Sequence, residues 1–218
     1  GPIPRSLSGA VGPFLEFTHA SFLLLHGYQN FQREEDVNIS PFARVGFFVA
    51  PSAWGYGRGG VGPYLTASIG SRLPKGFGYL EAKARSLYTS VGLDSGTVQI
   101  GGTIVLEPTG RQLFLGHLEG GWQKNPFPGE EFDLGLGVGP RAFRSHAFTG
   151  DRDYFVTAEY RYSIVPELWK VVGIGIAGFV VHGGAGFAGS RVGTGTCAGL
   201  GLARRARRKR TAFPARFP

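Results

Sequence analysis

Tyr154-Phe-Val-Thr-Ala-Glu-Tyr-Arg-Tyr162 alternates with a strict two-residue period. Successive side chains of a strand point to opposite sides. Tyr154, Val156, Ala158, Tyr160 and Tyr162 therefore share one face, and Thr157, Glu159 and Arg161 take the other. A soluble sheet turns such an aromatic and apolar face toward a core. An outer-membrane barrel turns it toward lipid and keeps the charged face in its lumen. The fold class depends on which arrangement holds.

Composition narrows the field. The 218 residues include 37 Gly, 14 Pro and 18 Phe with only 17% charged residues, a balance that points to an all-β protein rich in turns. No window sustains a 3.6-residue period, and the chain is too apolar for disorder. Met is absent even at position 1, so the chain reads as part of a longer protein, and Gly1 to Gly12 lacks the charged start and apolar run of a signal sequence. The net charge of +8 is concentrated at one end: seven of the 23 basic residues lie in 203–218, and the rest of the chain carries 16 against 15 acidic ones. The body therefore has no nucleic-acid signature. One cysteine, Cys197, supports neither an internal disulfide nor a cysteine metal site. The longest uncharged apolar run, Val171 to Val181, is about half a transmembrane helix but the right length for a transmembrane strand.

From Phe14 onward one unit recurs: a stretch of β-type sequence, then a break rich in Gly, Pro, Asp or Asn. Strands are expected near 13–25, 37–50, 61–72, 77–90, 96–107, 111–123, 131–138, 153–164 and 171–182, with a weaker one near 192–202. Breaks include Pro51-Ser-Ala-Trp-Gly55, Leu73-Pro-Lys-Gly76, Leu93-Asp-Ser-Gly96 and Asn125-Pro-Phe-Pro-Gly129. Short breaks alternate with long ones, as when one rim of a barrel faces the periplasm and the other faces outside. Other strands carry lumen-type charge on one face: Tyr79, Glu81, Lys83 and Arg85 oppose Leu80, Ala82, Ala84 and Ser86, while His117 and Glu119 oppose Phe114, Leu118 and Trp122. The pattern predicts an antiparallel transmembrane β-barrel, incomplete, with about ten strands visible. Residues 1–12 are an irregular lead-in, 13–202 the barrel domain and 203–218 a basic, non-native or disordered tail.

Gly173-Ile-Gly-Ile-Ala-Gly178 matches a dinucleotide-binding fingerprint, but that motif needs a following helix and an acid about 20 positions on. The last acid in the chain is Glu167, so the match is coincidental. The five histidines are scattered and none reads as a metal ligand. No nucleophile elbow, phosphate-binding loop or zinc motif is present. The chain is therefore not expected to be an enzyme or to hold a cofactor or metal.

Gly139-Pro-Arg-Ala-Phe143 precedes Thr149-Gly-Asp-Arg-Asp153 and the opening strand, and a glycine-rich apolar strand, Val171 to Val181, follows. This order resembles the bacterial surface antigen family, the barrel domain of the Omp85 superfamily of outer-membrane assembly and translocation proteins. Pro140, Arg141, Ala142 and Phe143 correspond to the family's lumen loop, Gly150, Asp151 and Arg152 to its second element, and Glu159 and Arg161 to its charged strand. The resemblance covers roughly residues 135–187. It implies that the loop folds into the lumen with Arg141 as its anchor and Glu159 as a partner. Three positions depart from the family pattern: Ala142 replaces Gly, Pro140 replaces an aliphatic residue, and Phe179-Val-Val-His-Gly183 lacks the Asp of many relatives.

The function implied is insertion or translocation of proteins, or lipids, at the bacterial outer membrane. The partners implied are outer-membrane lipid and the strands of a client outer-membrane or secreted protein, with no nucleic acid. Two other readings fit the alternation: a passive porin-like solute channel and a soluble β-sandwich binding protein.

Overall fold

A computed structural model describes residues 9–26, 28, 34–56, 58–126, 130–135, 143–168 and 172–206. The fold is all-β, with antiparallel ladders. Among the described residues, no helix is long and apolar enough to cross a membrane. The strands are β1 (Phe14–Thr18), β2 (Phe22–His26), β3 (Glu34–Asn38), β4 (Phe42–Ala50), β5 (Gly60–Leu73), β6 (Gly76–Thr89) and β7 (Gly92–Thr109). They continue as β8 (Gln112–Lys124), β9 (Phe132–Leu134), β10 (Phe148–Gly150), β11 (Arg152–Leu168), β12 (Val172–Gly186) and β13 (Gly193–Ala206). Nine of them form one sheet in the order β1-β4-β5-β6-β7-β8-β11-β12-β13, while β2–β3 and β9–β10 are separate two-stranded ladders. Among the described residues no pairing joins β1 to β13, so the sheet is open and those two strands are its edges. The all-β, antiparallel part of the expectation is met, as a long up-and-down meander, and among the described residues the sheet does not close into a barrel.

Three expected segments are divided differently. The stretch 13–25 is two strands, because the chain leaves the main sheet after Thr18 and returns only at Phe42. The break is pinned by Ser40, whose Oγ accepts from the Ser21 amide at 2.8 Å, and by the Ile39 amide donating to the Ser21 carbonyl at 2.9 Å. Within the stretch 131–138, of which 136–138 lie outside the described residues, Phe132–Leu134 is strand and pairs with β10 outside the main sheet. Leu93–Gly96 is no turn: β7 begins at Gly92, whose φ of 99° takes the left-handed conformation that a tight hairpin needs. The final strand also runs to Ala206, four residues into the stretch read as tail.

The ladders give every strand the same sense of facing. One face, here the covered face, receives β2–β3 and β9–β10. Leu25, Val37 and Ile39 from around the β2–β3 hairpin pack on Phe77, Val105 and Leu113 of the sheet. Leu134 and Phe148, from β9 and β10, pack on Phe155 and Ala185. A third cluster, Phe48, Ala50 and Leu87, lies at the β4–β6 end. The opposite face is left open. Cross-strand rows there run Ala67-Ala82-Ile100-Gly120-Tyr154 and Ile69-Leu80-Gly102-Leu118-Val156. Neither these rows nor the next two, through Gly78-Ile104-Gly116-Ala158 and Gly76-Leu106-Phe114-Tyr160, contain an Asp, Glu, Lys or Arg. Ile100 is 55% exposed and Val156 51%, whereas Phe155, on the covered face, is 5% exposed. The aromatic face of the 154–162 strand is therefore the open one, and Thr157, Glu159 and Arg161 point to the covered side.

Docking of the hairpin rests on few apolar contacts, which makes it testable. Leu25, 4% exposed, should cost about 2–4 kcal/mol when replaced by Ala. Leu200, 93% exposed, should change stability by less than about 0.5 kcal/mol on the same replacement. Urea unfolding followed by tryptophan fluorescence measures both. Equal losses would mean that β2–β3 does not pack as described.

Candidate functional site

The covered face gathers most of the polar side chains that the sheet positions. Of the residues singled out by sequence, Pro140, Arg141 and Ala142 lie outside the described residues. Phe143 is half-buried and meets the Phe148 ring edge-on, with centroids 5.3 Å apart, over β13 at Gly195. Gly150 ends β10 against the backbone of Gly186, where an added Cβ would come 2.3 Å from the Gly186 carbonyl oxygen. Asp151 ties three segments together. Its carbonyl accepts from the Gln123 amide at 2.6 Å, and its Oδ2 accepts from the Ala188 amide at 2.9 Å. Its Oδ1 lies 3.4 Å from Arg152 Nε. Arg152 opens β11 beside Trp122 and Gly186, on the parity of the open face.

Glu159 and Arg161 sit two residues apart on β11 and pair with each other, Arg161 Nε donating to Glu159 Oε1 at 2.5 Å. The described partner of Glu159 is therefore its own strand neighbour. Arg161 also donates from Nη1 to the carbonyl of Tyr28 at 2.7 Å, across 133 positions of sequence. Arg72 does the same at the start of the hairpin, Nη2 donating to the Phe22 carbonyl at 2.7 Å. Two guanidinium groups on distant strands thus hold both ends of the inserted β2–β3 segment. Tyr28 packs edge-on against Phe77, with centroids 5.4 Å apart. Burial pushes its hydroxyl above the ordinary tyrosine value, Glu35 adds to the rise and Arg161 opposes it. The phenol therefore stays neutral at physiological pH.

Nearer the middle of the face, His117 Nδ1 shares a hydrogen bond with Thr103 Oγ1 at 2.8 Å, and its ring lies 5.3 Å from that of Phe155. Glu119 Oε2 is 3.7 Å from His117 Nε2, beyond hydrogen-bond reach. Chemically this is a hydrogen-bonding lining. Among the described residues no group of three or more His, Cys, Asp or Glu is placed to hold a metal. Sequence reasoning passed over Arg72 and Tyr28. Arg72 stands next to a turn and reads as a solvated charge, although its parity with Tyr64, Thr66 and Ser68 puts it on the covered face. Tyr28 lies between two strands that the sequence does not separate from the main sheet.

Replacing Arg161 by Met removes both the Glu159 pair and the Tyr28 anchor. With the pair partly solvent-exposed, the expected loss is about 1–2 kcal/mol. Amide hydrogen exchange should rise selectively in β2 and β3. Arg161→Lys should recover only part of this, because one ammonium cannot reproduce the planar fork that serves both acceptors. Uniform acceleration of exchange across the sheet would contradict the anchoring role.

Set against models of known protein families, curated proteins and solved structures, the chain matches none of them.

Proposed function

We propose that this chain is the strand array of an outer-membrane β-barrel of the assembly or translocation type, and that it acts by offering a sheet edge to a strand of a client protein. One observation carries the reading: four successive rows of the open face contain no Asp, Glu, Lys or Arg, while charges cluster on the opposite side. That distribution suits lipid on one side and an aqueous lumen on the other. Aromatic residues bracket the aliphatic band, with Trp122 and Tyr154 at one level and Phe114, Tyr160 and Tyr162 farther along β8 and β11. Such brackets sit well at membrane–water interfaces. β2–β3 and β9–β10 occupy parts of the covered face, which favours a strand-handling role over a free solute pore. β13 presents 14 residues of strand that, among the described residues, are paired on one side alone, a template for strand addition. The role requires no covalent chemistry.

Folding should require detergent micelles or lipid vesicles and should yield a compact species that migrates faster on gels before boiling than after. Leu118→Arg should destabilise that species by about 2–4 kcal/mol in lipid, the depth-dependent cost of a guanidinium on a lipid-facing strand. A monodisperse protein folded without detergent would sink the membrane reading. Edge recognition can be tested separately through Cys197, on β13. A synthetic amphipathic strand peptide whose one cysteine is activated as a thiopyridyl mixed disulfide should exchange with the Cys197 thiolate, releasing thiopyridone, and a peptide interrupted by two prolines should not. Equal capture of both peptides would remove strand addition as the mechanism.

A further inference from the structure

The alternation of β6 places Lys83 and Arg85 on the covered face two residues apart, about 7 Å along the strand. Thr66 lies beside Lys83 and Tyr64 beside Arg85 on β5, with Gln99 and Thr97 opposite them on β7. Of the carboxylates nearest in the lattice of strands, Glu16 has its own cation and Glu81 flanks Lys83 on the side away from Arg85. Glu16 is bonded to Arg44, and Glu81 folds over Gly101, its carboxylate about 3.0 Å from where a Cβ on that glycine would stand. Along β6 the order on this face is Glu81, Lys83, Arg85, so no acidic side chain of the strand stands between the two cations, which repel each other. Arg85 is nevertheless held in place: its guanidinium carbon lies 4.7 Å from the centroid of the Phe48 ring. These groups open onto a cleft of about 520 Å³ lined by Phe48, Tyr64, Thr66, Lys83, Arg85 and Gln99. That volume falls within the range of small-molecule sites.

We propose that this cleft is a binding site for a small organic phosphate. A guanidinium fork offers two parallel N–H donors, the ammonium supplies a second charge, and Thr66 and Gln99 add neutral donors. Three phosphate oxygens can use that set more fully than the two of a carboxylate. Binding an anion between the two cations also relieves their mutual repulsion. The Phe48 and Tyr64 rings form an aromatic wall for the body of the ligand. The phosphate belongs either to a free solute or to a lipid headgroup, since both present the same oxygens. The site stands apart from the membrane reading, because the cleft is on the covered face whatever meets the open one.

The test is calorimetric titration of the full chain, in zwitterionic micelles or in plain buffer according to which keeps it folded. The probes are phenyl phosphate and, as a neutral control, phenol. Phenyl phosphate should bind, and phenol should bind at least about tenfold more weakly. Lys83→Gln and Arg85→Gln should each weaken phenyl phosphate binding about tenfold, and the double substitution more. Glu81→Gln should leave binding unchanged or tighten it. Competition by phosphatidic acid would assign the site to a headgroup, and its absence would assign it to a free solute; either result supports the site. Equal binding by the double variant, with unaltered circular dichroism and unfolding midpoint, would overturn the proposal. So would phenol binding as tightly as phenyl phosphate.

Discussion

Because a strand reverses its side-chain direction at every residue, a one-position slip in any ladder would carry that strand's charges across the sheet. Nine strands must therefore keep a common parity for the four middle rows of one face to remain free of Asp, Glu, Lys and Arg. The ladders meet that demand by confining their irregularities. Register shifts fall at Leu87/Tyr88, Leu106/Thr109 and beyond Ser163, near strand ends or turns. Between them the row Thr66-Lys83-Gln99-Gly121-Asp153 stays on the covered face, and Leu65-Ala84-Val98-Trp122 stays on the open face. Every site described above inherits its position from this parity.

The covered face is itself divided. Phe77, Val105 and Leu113 form an apolar patch under β2–β3, and Phe155 with Ala185 forms another under β9–β10. Glu81, Lys83, Gln99, His117 and Glu119 occupy the ground between or beside these patches. Inserted segments thus dock where burial is favourable and leave the charges where water or a ligand can reach them. The backbone of the β2–β3 segment still needs hydrogen-bond partners once it leaves the main sheet. Arg72 and Arg161 supply part of that need by donating to the Phe22 and Tyr28 carbonyls. The strand that carries Glu159 and Arg161 is therefore also a strand that secures the hairpin.

Much of this was legible in the sequence because a two-residue period survives any bending of the sheet. The parity of Tyr79, Glu81, Lys83 and Arg85 and that of Thr157, Glu159 and Arg161 follow directly from alternation, and the ladders place both sets on the covered side. What alternation cannot convey is which sheet a strand joins. Phe22–His26 is as apolar as its neighbours, and the hydrogen bonds around Ser21 and Ser40, with Arg72 on the Phe22 carbonyl, are tertiary contacts that alternation does not show. Turn placement was equally local. Leu93-Asp-Ser-Gly96 has turn composition, yet Gly92 supplies the left-handed residue, and the later Gly96 pairs with Ser86 inside the ladder. The cleft beside Lys83 and Arg85 was visible only as lumen polarity. Its definition depends on Phe48 reaching under Arg85 from a strand not adjacent to β6.

The two edges of the sheet are unlike. β1 is five residues long and exposed along its length, whereas β13 runs for 14 residues and carries glycine at four covered-face positions, 193, 195, 199 and 201. In water, an unpaired edge can hydrogen-bond to solvent, and its hazard is aggregation. In hydrocarbon that relief is absent, and each unpaired amide or carbonyl costs several kcal/mol. If lipid meets the open face, β13 must then be paired by some strand across most of its length. β1 is too short to serve 14 residues alone. The same arithmetic that makes an isolated edge unstable in lipid makes it receptive: any amphipathic strand of matching parity satisfies the backbone and continues the apolar face. Leu200 and Leu202, almost fully exposed beside the free edge, would then gain the neighbour that they lack in the open sheet.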